Sequence, residues 1–341
     1  MFRVGQPPTC LARQRTNRRQ TDGSMGQPHN QQNVPLFLIQ RIAERIDSGR
    51  KLTNRDLLAM CGEAGIDALS TDPHLCHEVA ETALNFLVAT KYGRPLLSSD
   101  QPAVMSREIL RPLQERLPTQ SWRSSTQIAY QQFSTPAPIS YLAAYLLSLT
   151  DNDSVLEPSC GTGCLAVWAK AVVASVITNE LDPRRSQMAR LLGFEPTRHD
   201  AEFIDDFLPE TIVPNVVLMN PPFSSSGGRV ERNQNMFGFR HVESALRRLA
   251  DGGRFVVVLG EGGSMASAMG RWFWDSLRPG IRVTRSIGLP GREYYRNGTT
   301  VGITFILGRK SAVDEPHGDV QRSLHQSFDN IEDAFNALES I

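Results

Sequence analysis

A short apolar run, Val216-Val217-Leu218-Met219, stops at Asn220-Pro221-Pro222-Phe223 and gives way to Ser224-Ser225-Ser226-Gly227-Gly228. Apolar runs of this length, bounded by Pro and Gly, predict a strand buried on both faces of a parallel sheet. Asn220 stands where such a strand leaves the sheet, the edge at which open α/β sheets place their ligands. Pro221 and Pro222 fix φ and carry no N–H, so their carbonyls are rigid acceptors. The Asn220 side-chain oxygen and a proline carbonyl together form two convergent acceptors. Their natural guest is an exocyclic amine with two hydrogens, and Phe223 supplies a ring to stack on the flat group that bears it.

Upstream, Ser154-Val155-Leu156-Glu157-Pro158-Ser159-Cys160-Gly161-Thr162-Gly163-Cys164-Leu165-Ala166 reads as a strand, a glycine turn and the start of a helix. A second strand, Ala174 to Asn179, ends in Glu180. Gly161 and Gly163 let a nucleoside ligand approach the backbone, and an acid after the second strand suits ribose hydroxyls. The same glycines fit a nicotinamide-dinucleotide fingerprint. Glu157 tips the balance: an acid before the glycines repels a pyrophosphate but attracts the ammonium and sulfonium of S-adenosyl-L-methionine. Asp200, in Arg198-His199-Asp200-Ala201 after a strand expected near Phe194, is placed to accept from an adenine amine.

These segments, in this order, resemble S-adenosylmethionine-dependent amino-methyltransferases that make N6-methyladenine in DNA. Gln132-Phe133-Ser134-Thr135-Pro136 resembles the segment before the glycine motif in the methylation subunit of type I restriction-modification systems. Glu157 to Gly163, including Pro158 and Ser159, resembles the cofactor motif. Glu180 matches the ribose acid, and Asp200 with Ala201 the cofactor-adenine contact. Asn220 to Phe223 resembles the catalytic motif, and Leu289-Pro290-Gly291-Arg292-Glu293-Tyr294, with Gly298-Thr299, a later motif whose aromatic holds the flipped base. The likeness spans roughly residues 122–310 and extends to methyltransferase-like domains of plasmid and phage proteins, some joined to strawberry-notch-type helicases. It implies a catalytic set of Asn220, Pro221, Pro222 and Phe223. It implies cofactor contacts from Phe133, Thr135, Pro136, Glu157, Pro158, Ser159, Gly161, Gly163, Glu180, Asp200, Ala201 and Asn220, and base contacts from Phe223 and Tyr294. Cys164 departs from the pattern, where an Asn or small residue is commoner, and no specificity domain follows the last motif.

The implied fold class is α/β, a doubly wound Rossmann-like methyltransferase sheet over 121–310, preceded by a small N-terminal helical domain over 34–120. Leu36, Ile39, Ile42 and Ile46 recur at helical spacing, as do Val79, Ala83, Leu84 and Leu87; Thr53 and Asp72 read as helix starts. Residues 1–33 are polar and read as a disordered extension. Residues 311–341 read as an acidic linker and a final amphipathic helix that offers itself to a partner. With 341 residues, 40% of them hydrophobic, the chain can bury a sizeable core. Five irregularly spaced cysteines point to reduced thiols in the cytoplasm. No apolar run is long enough for a membrane span. His74, Cys76 and His77 are poorly spaced for tetrahedral zinc, so no metal is expected.

Net charge is zero, yet residues 229–310 carry 14 basic against 6 acidic side chains, directly after the Asn220 motif. That asymmetry points to nucleic-acid phosphates. The expected partners are DNA and a separate specificity subunit or helicase, with no membrane. Rival readings are methylation of an rRNA adenine or a protein glutamine amide, a non-enzymatic cofactor- and DNA-binding module, and a nicotinamide oxidoreductase. The last leaves Glu157 and Asn220 to Phe223 without a role.

Overall fold

The computed structural model describes residues 33–66, 74–119, 134–222, 237–297, 301–311 and 325–339. The expectations for the N-terminal extension, Asp72, Gln132, Phe133, Phe223, the serine- and glycine-rich loop and Gly298-Thr299 concern residues outside these ranges.

Strands β1 (Ser154–Glu157), β2 (Ser175–Thr178), β3 (Val216–Met219), β4 (Arg254–Gly260), β5 (Ile281–Leu289), β6 (Ile303–Lys310) and β7 (His325–Ser327) form one seven-stranded sheet. Their order is β2-β1-β3-β4-β6-β5-β7. β1, β2, β3 and β4 run parallel, whereas β6 inserts antiparallel between β4 and β5. Alternate residues of one strand face opposite sides of a sheet, and β3 follows the rule. Val216 and Leu218 join one apolar cluster, Val217 and Met219 the other. Each side is covered by helices, as a doubly wound sheet requires. α4 (Ala137–Leu147), α5 (Ala166–Ala171) and α6 (Pro183–Leu191) contribute to the first cluster; α7 (Phe237–Arg247) and α8 (Ala268–Ser276) build the second.

The first cluster also takes in the N-terminal helices α1 (Leu36–Asp47), α2 (Asn54–Glu63) and α3 (His74–Leu87). α1 buries Leu38, Ile39, Ile42 and Ile46 along one stripe. Thr53 caps α2 in a reciprocal capping box with Asp56, which satisfies donors that a helix start leaves open. The final helix, α9 (Ile331–Glu339), buries Ile331, Ala334 and Phe335. Its Glu332 accepts from Arg111 at 2.8 Å and Ser106 at 3.2 Å. Its apolar face is therefore spent within the chain.

Two further expectations change. The strand anticipated near Phe194 shrinks to a single parallel bridge, Asn179 to Thr197, because Pro196 brings no N–H to a ladder. Conversely, the polar stretch after residue 311 contains β7, which pairs with β5 through Ser286, Ile287 and Gly288.

Candidate active site

β1, β2 and β3 end side by side, so the groups that follow them converge. After β1 the chain turns through Gly161 and Gly163, at φ of 55° and 90°. A Cβ on Gly161 would lie 2.7 Å from Arg185 Nη2, so only glycine admits that guanidinium over the turn. The Gly161 N–H donates to Glu180 Oε2 at 2.7 Å, and the Asp182 N–H to Glu180 Oε1 at 2.8 Å. The acid after β2 is thus fixed against the glycine turn by two backbone donors. Burial raises the Glu180 carboxyl above its ordinary value, and Arg185 pulls it back down.

Glu157, at the end of β1, is buried, and its carboxylate accepts from the Ala166 N–H. Its Oε2 is buried with no hydrogen-bond partner. Burial pushes this carboxyl well above its usual range, with Glu180 adding repulsion. An orphaned buried acceptor of this kind costs free energy that a cationic ligand recovers.

Asn179 stitches the two halves of the pocket. Its Nδ2 donates to the Pro158 carbonyl and the His199 carbonyl, each at 2.9 Å, while Oδ1 accepts from the His199 N–H at 2.8 Å. One side chain thereby sets the Glu157-Pro158 strand end and the segment that delivers Asp200. Asp200 accepts from the Glu202 N–H at 3.1 Å, capping the short 3-10 turn Ala201–Phe203.

Asn220 leaves β3 partly buried. Its Nδ2 donates to Thr135 Oγ1 at 2.8 Å and to Tyr294 Oη at 3.1 Å. Both amide hydrogens are engaged in this way. Oδ1 is buried and has no hydrogen-bond partner. The arrangement presents an acceptor and withholds a donor. Tyr294 is fully buried. It stands as a prop for Asn220, not as the open stacking face expected of it.

The structure therefore gathers Thr135, Pro158, Gly161, Gly163, Glu180 and Asn220 at one sheet edge, with Glu157 beneath and Tyr294 behind. Glu78, Glu81 and Asn85 of α3 also reach it and were missed from sequence. Asn85 Nδ2 donates to the Thr162 carbonyl in the glycine turn at 3.1 Å. Among the described residues of 229–310, several arginines pair with acids elsewhere in the chain. Arg240 pairs with Glu202 at 2.6 Å, Arg247 with Asp205 at 3.0 Å, and Arg254 with Asp153 at 2.7 Å. Arg248 and Arg271 donate to main-chain carbonyls.

Residues 140–276 match the family described as Methyltransferase small domain. The matched segment contains Glu157, the glycine turn, Glu180, Asp200 and Asn220. A Listeria monocytogenes structure described as a class I S-adenosylmethionine-dependent methyltransferase aligns with a TM-score of 0.53 at 14% identity, covering 89% of this chain and 98% of that one. The methyltransferase subunit of a type I restriction-modification system from Streptococcus thermophilus aligns at 18% identity and a TM-score of 0.45, over 89% of this chain and 73% of that one. The type II restriction enzyme and methyltransferase RM.BcgI of Heyndrickxia coagulans is 24% identical over 147 residues. That match spans 37% of this chain and 23% of that protein's own length. The fold implies S-adenosyl-L-methionine as cofactor, and the two orphaned acceptors, Glu157 Oε2 and Asn220 Oδ1, fit it and its acceptor amine. Among the described residues no helix is long and apolar enough to cross a membrane, and no acidic, His or Cys cluster could hold a metal ion.

Proposed function

We propose that this methyltransferase acts on the N6 amine of adenine in DNA, in a restriction-modification context and in the cytoplasm. The observation that carries the reading is Asn220: its amide nitrogen is tied to Thr135 and Tyr294, and its Oδ1 is left as a buried acceptor just before two prolines. Adenine N6 is a weak nucleophile because its lone pair is delocalised into the ring. Asn220 Oδ1 and the Pro221 carbonyl accept its two N–H bonds and draw the nitrogen toward tetrahedral geometry. They also stabilise the positive charge that grows on it, and such preorganised electrostatics is usually the largest catalytic contribution. Phe223 stacks on the base once it has left the helix. S-adenosyl-L-methionine, when bound, supplies an electrophilic methyl group on a sulfonium. Glu157 holds the ammonium of its methionine half, Glu180 its ribose, Asp200 and Ala201 its adenine, with Phe133, Thr135, Pro136, Pro158, Ser159 and Gly163 lining the pocket. Target choice falls to a separate specificity subunit or helicase partner.

The test is tritium transfer from labelled cofactor to double-stranded DNA, RNA and protein extract in parallel. The expected outcome is N6-methyladenine in DNA, lowered by at least about a hundredfold in Asn220→Ala, the scale of losing one preorganised contact. Cofactor affinity in that variant stays within about tenfold, since one neutral contact is worth little more. Label confined to RNA or protein would replace the substrate, and an unaltered rate in the variant would remove Asn220 from the mechanism.

A further inference from the structure

Arg185 is the cation that lies over the glycine turn. It projects from α6 and is almost wholly enclosed, with 9% of its side chain exposed. Its Nη2 donates to Ser134 Oγ at 3.1 Å. Ser134 in turn spends its single hydroxyl proton on Glu81 Oε2, at 2.5 Å, so its oxygen is free only to accept. Arg185 Nε makes no hydrogen bond, and Glu78 Oε1 lies 3.7 Å from it. Glu78 is held on its other side by Arg184, at 2.6 Å. The guanidinium is therefore aimed by α3 and Ser134 at the Gly161 backbone, with donor capacity in excess of its hydrogen-bonded partners.

The surroundings make that placement informative. Glu78, Glu81, Glu157 and Glu180 are all buried around the same turn. This concentration of acid welcomes the ammonium and sulfonium of the cofactor but repels its carboxylate. A cation facing its negative end offsets that repulsion. A guanidinium suits the task, since its planar fork matches a carboxylate and its charge does not titrate.

We propose that Arg185 is the anion-binding end of the cofactor pocket, receiving the methionine carboxylate, with Ser134 and Glu81 as the residues that position it. Glu81 and Ser134 lie outside residues 140–276, so part of the pocket is built by the chain preceding the matched segment. The inference rests on the glycine turn being the cofactor site and is independent of which acceptor is methylated.

The experiment is calorimetric binding of two thioethers, both lacking the sulfonium charge, to the full chain without nucleic acid. S-adenosylhomocysteine carries the amino-acid end; 5′-methylthioadenosine has the same nucleoside without it. Arg185→Met is expected to weaken S-adenosylhomocysteine by about 10- to 100-fold, the range for a charge-assisted hydrogen bond. Methylthioadenosine is expected to change by less than about twofold, because it makes no such bond. Arg185→Lys, which keeps a cation at the site, gives a smaller loss confined to S-adenosylhomocysteine and serves alone should the Met variant not fold. Equal losses for both ligands would make Arg185 a support for the turn and overturn the assignment, as would unchanged binding of both. Failure of the DNA reading would leave these affinities untouched.

Discussion

The amide of Asn220 has two orientations of similar shape and opposite chemistry, and only one places an acceptor before the substrate amine. In the structure the nitrogen meets two hydroxyls, Thr135 Oγ1 and Tyr294 Oη, 85 and 74 residues away in the chain, and the oxygen is left as the acceptor. Asn220 itself was legible because two prolines and an aromatic follow it directly. Its props were not, because nothing local to Thr135 or Tyr294 says which side chain each will meet. Tyr294 was read as a base contact, and the two roles separate kinetically. Tyr294→Phe removes one of the two amide acceptors while keeping the ring. As a prop, it is expected to lower kcat by about tenfold, the mark of a contact needed in the transition state. Affinity for S-adenosylhomocysteine should stay within about twofold, since the cofactor contact is intact. A base-stacking residue would keep its stacking face in this variant and leave both kcat and KM for DNA near the native values, and steady-state kinetics would show it.

α3 illustrates what periodicity can and cannot reveal about an element. Val79, Ala83, Leu84 and Leu87 predicted an apolar stripe, and they are buried. The opposite faces are buried too, with His74, His77, Glu78, Glu81 and Asn85. Sequence marks such residues as solvent-facing; their partners, Arg184 at the start of α6 and Thr162 in the glycine turn, come together only through the fold. β7 was hidden for a related reason, since three polar residues have no strand pattern and are held by the β5 backbone. The charge buried by α3 has a thermodynamic signature. Burial pushes the Glu78 carboxyl up to about 7 from an ordinary 4.5, against the pull of Arg184 and Arg185. Between those values the folded chain holds a proton that the unfolded chain has released. Stability from this group is therefore full below about 4.5 and is lost as pH rises through about 7. Glu78→Gln cannot titrate. The melting temperature of the native chain should fall relative to the variant as pH rises across that window, and parallel melting curves would refute the placement.

Across the whole molecule, the change near residue 120 from helical periodicity to alternating strands and helices invited a division into a helical domain and a methyltransferase domain. The packing argues for a single cooperative body over residues 33–341. Leu38, Ile42 and Val79 from the first segment share one apolar cluster with Trp168, Val216 and Phe305 from the second. Polar contacts cross the same boundary. Gln114 accepts from the Ala137 N–H at 3.0 Å, Asn85 donates to the Thr162 carbonyl at 3.1 Å, and Arg111 reaches Glu332 at 2.8 Å. α9 closes the assembly, with Phe335 against Tyr141 at 5.0 Å between ring centres and Tyr141 stacked on Trp168 at the same spacing. A boundary crossed by a continuous core cannot open without exposing both sides, and the cofactor turn is held by α3 across it. Calorimetry of the full chain should then show one transition, with calorimetric and van't Hoff enthalpies equal. S-adenosylhomocysteine should raise that transition as a unit, since a ligand that binds only the folded state stabilises everything coupled to its site. Two resolved transitions, with only the later one moved by ligand, would restore the two-domain division and would detach Glu78, Glu81 and Asn85 from the energetics of the cofactor pocket.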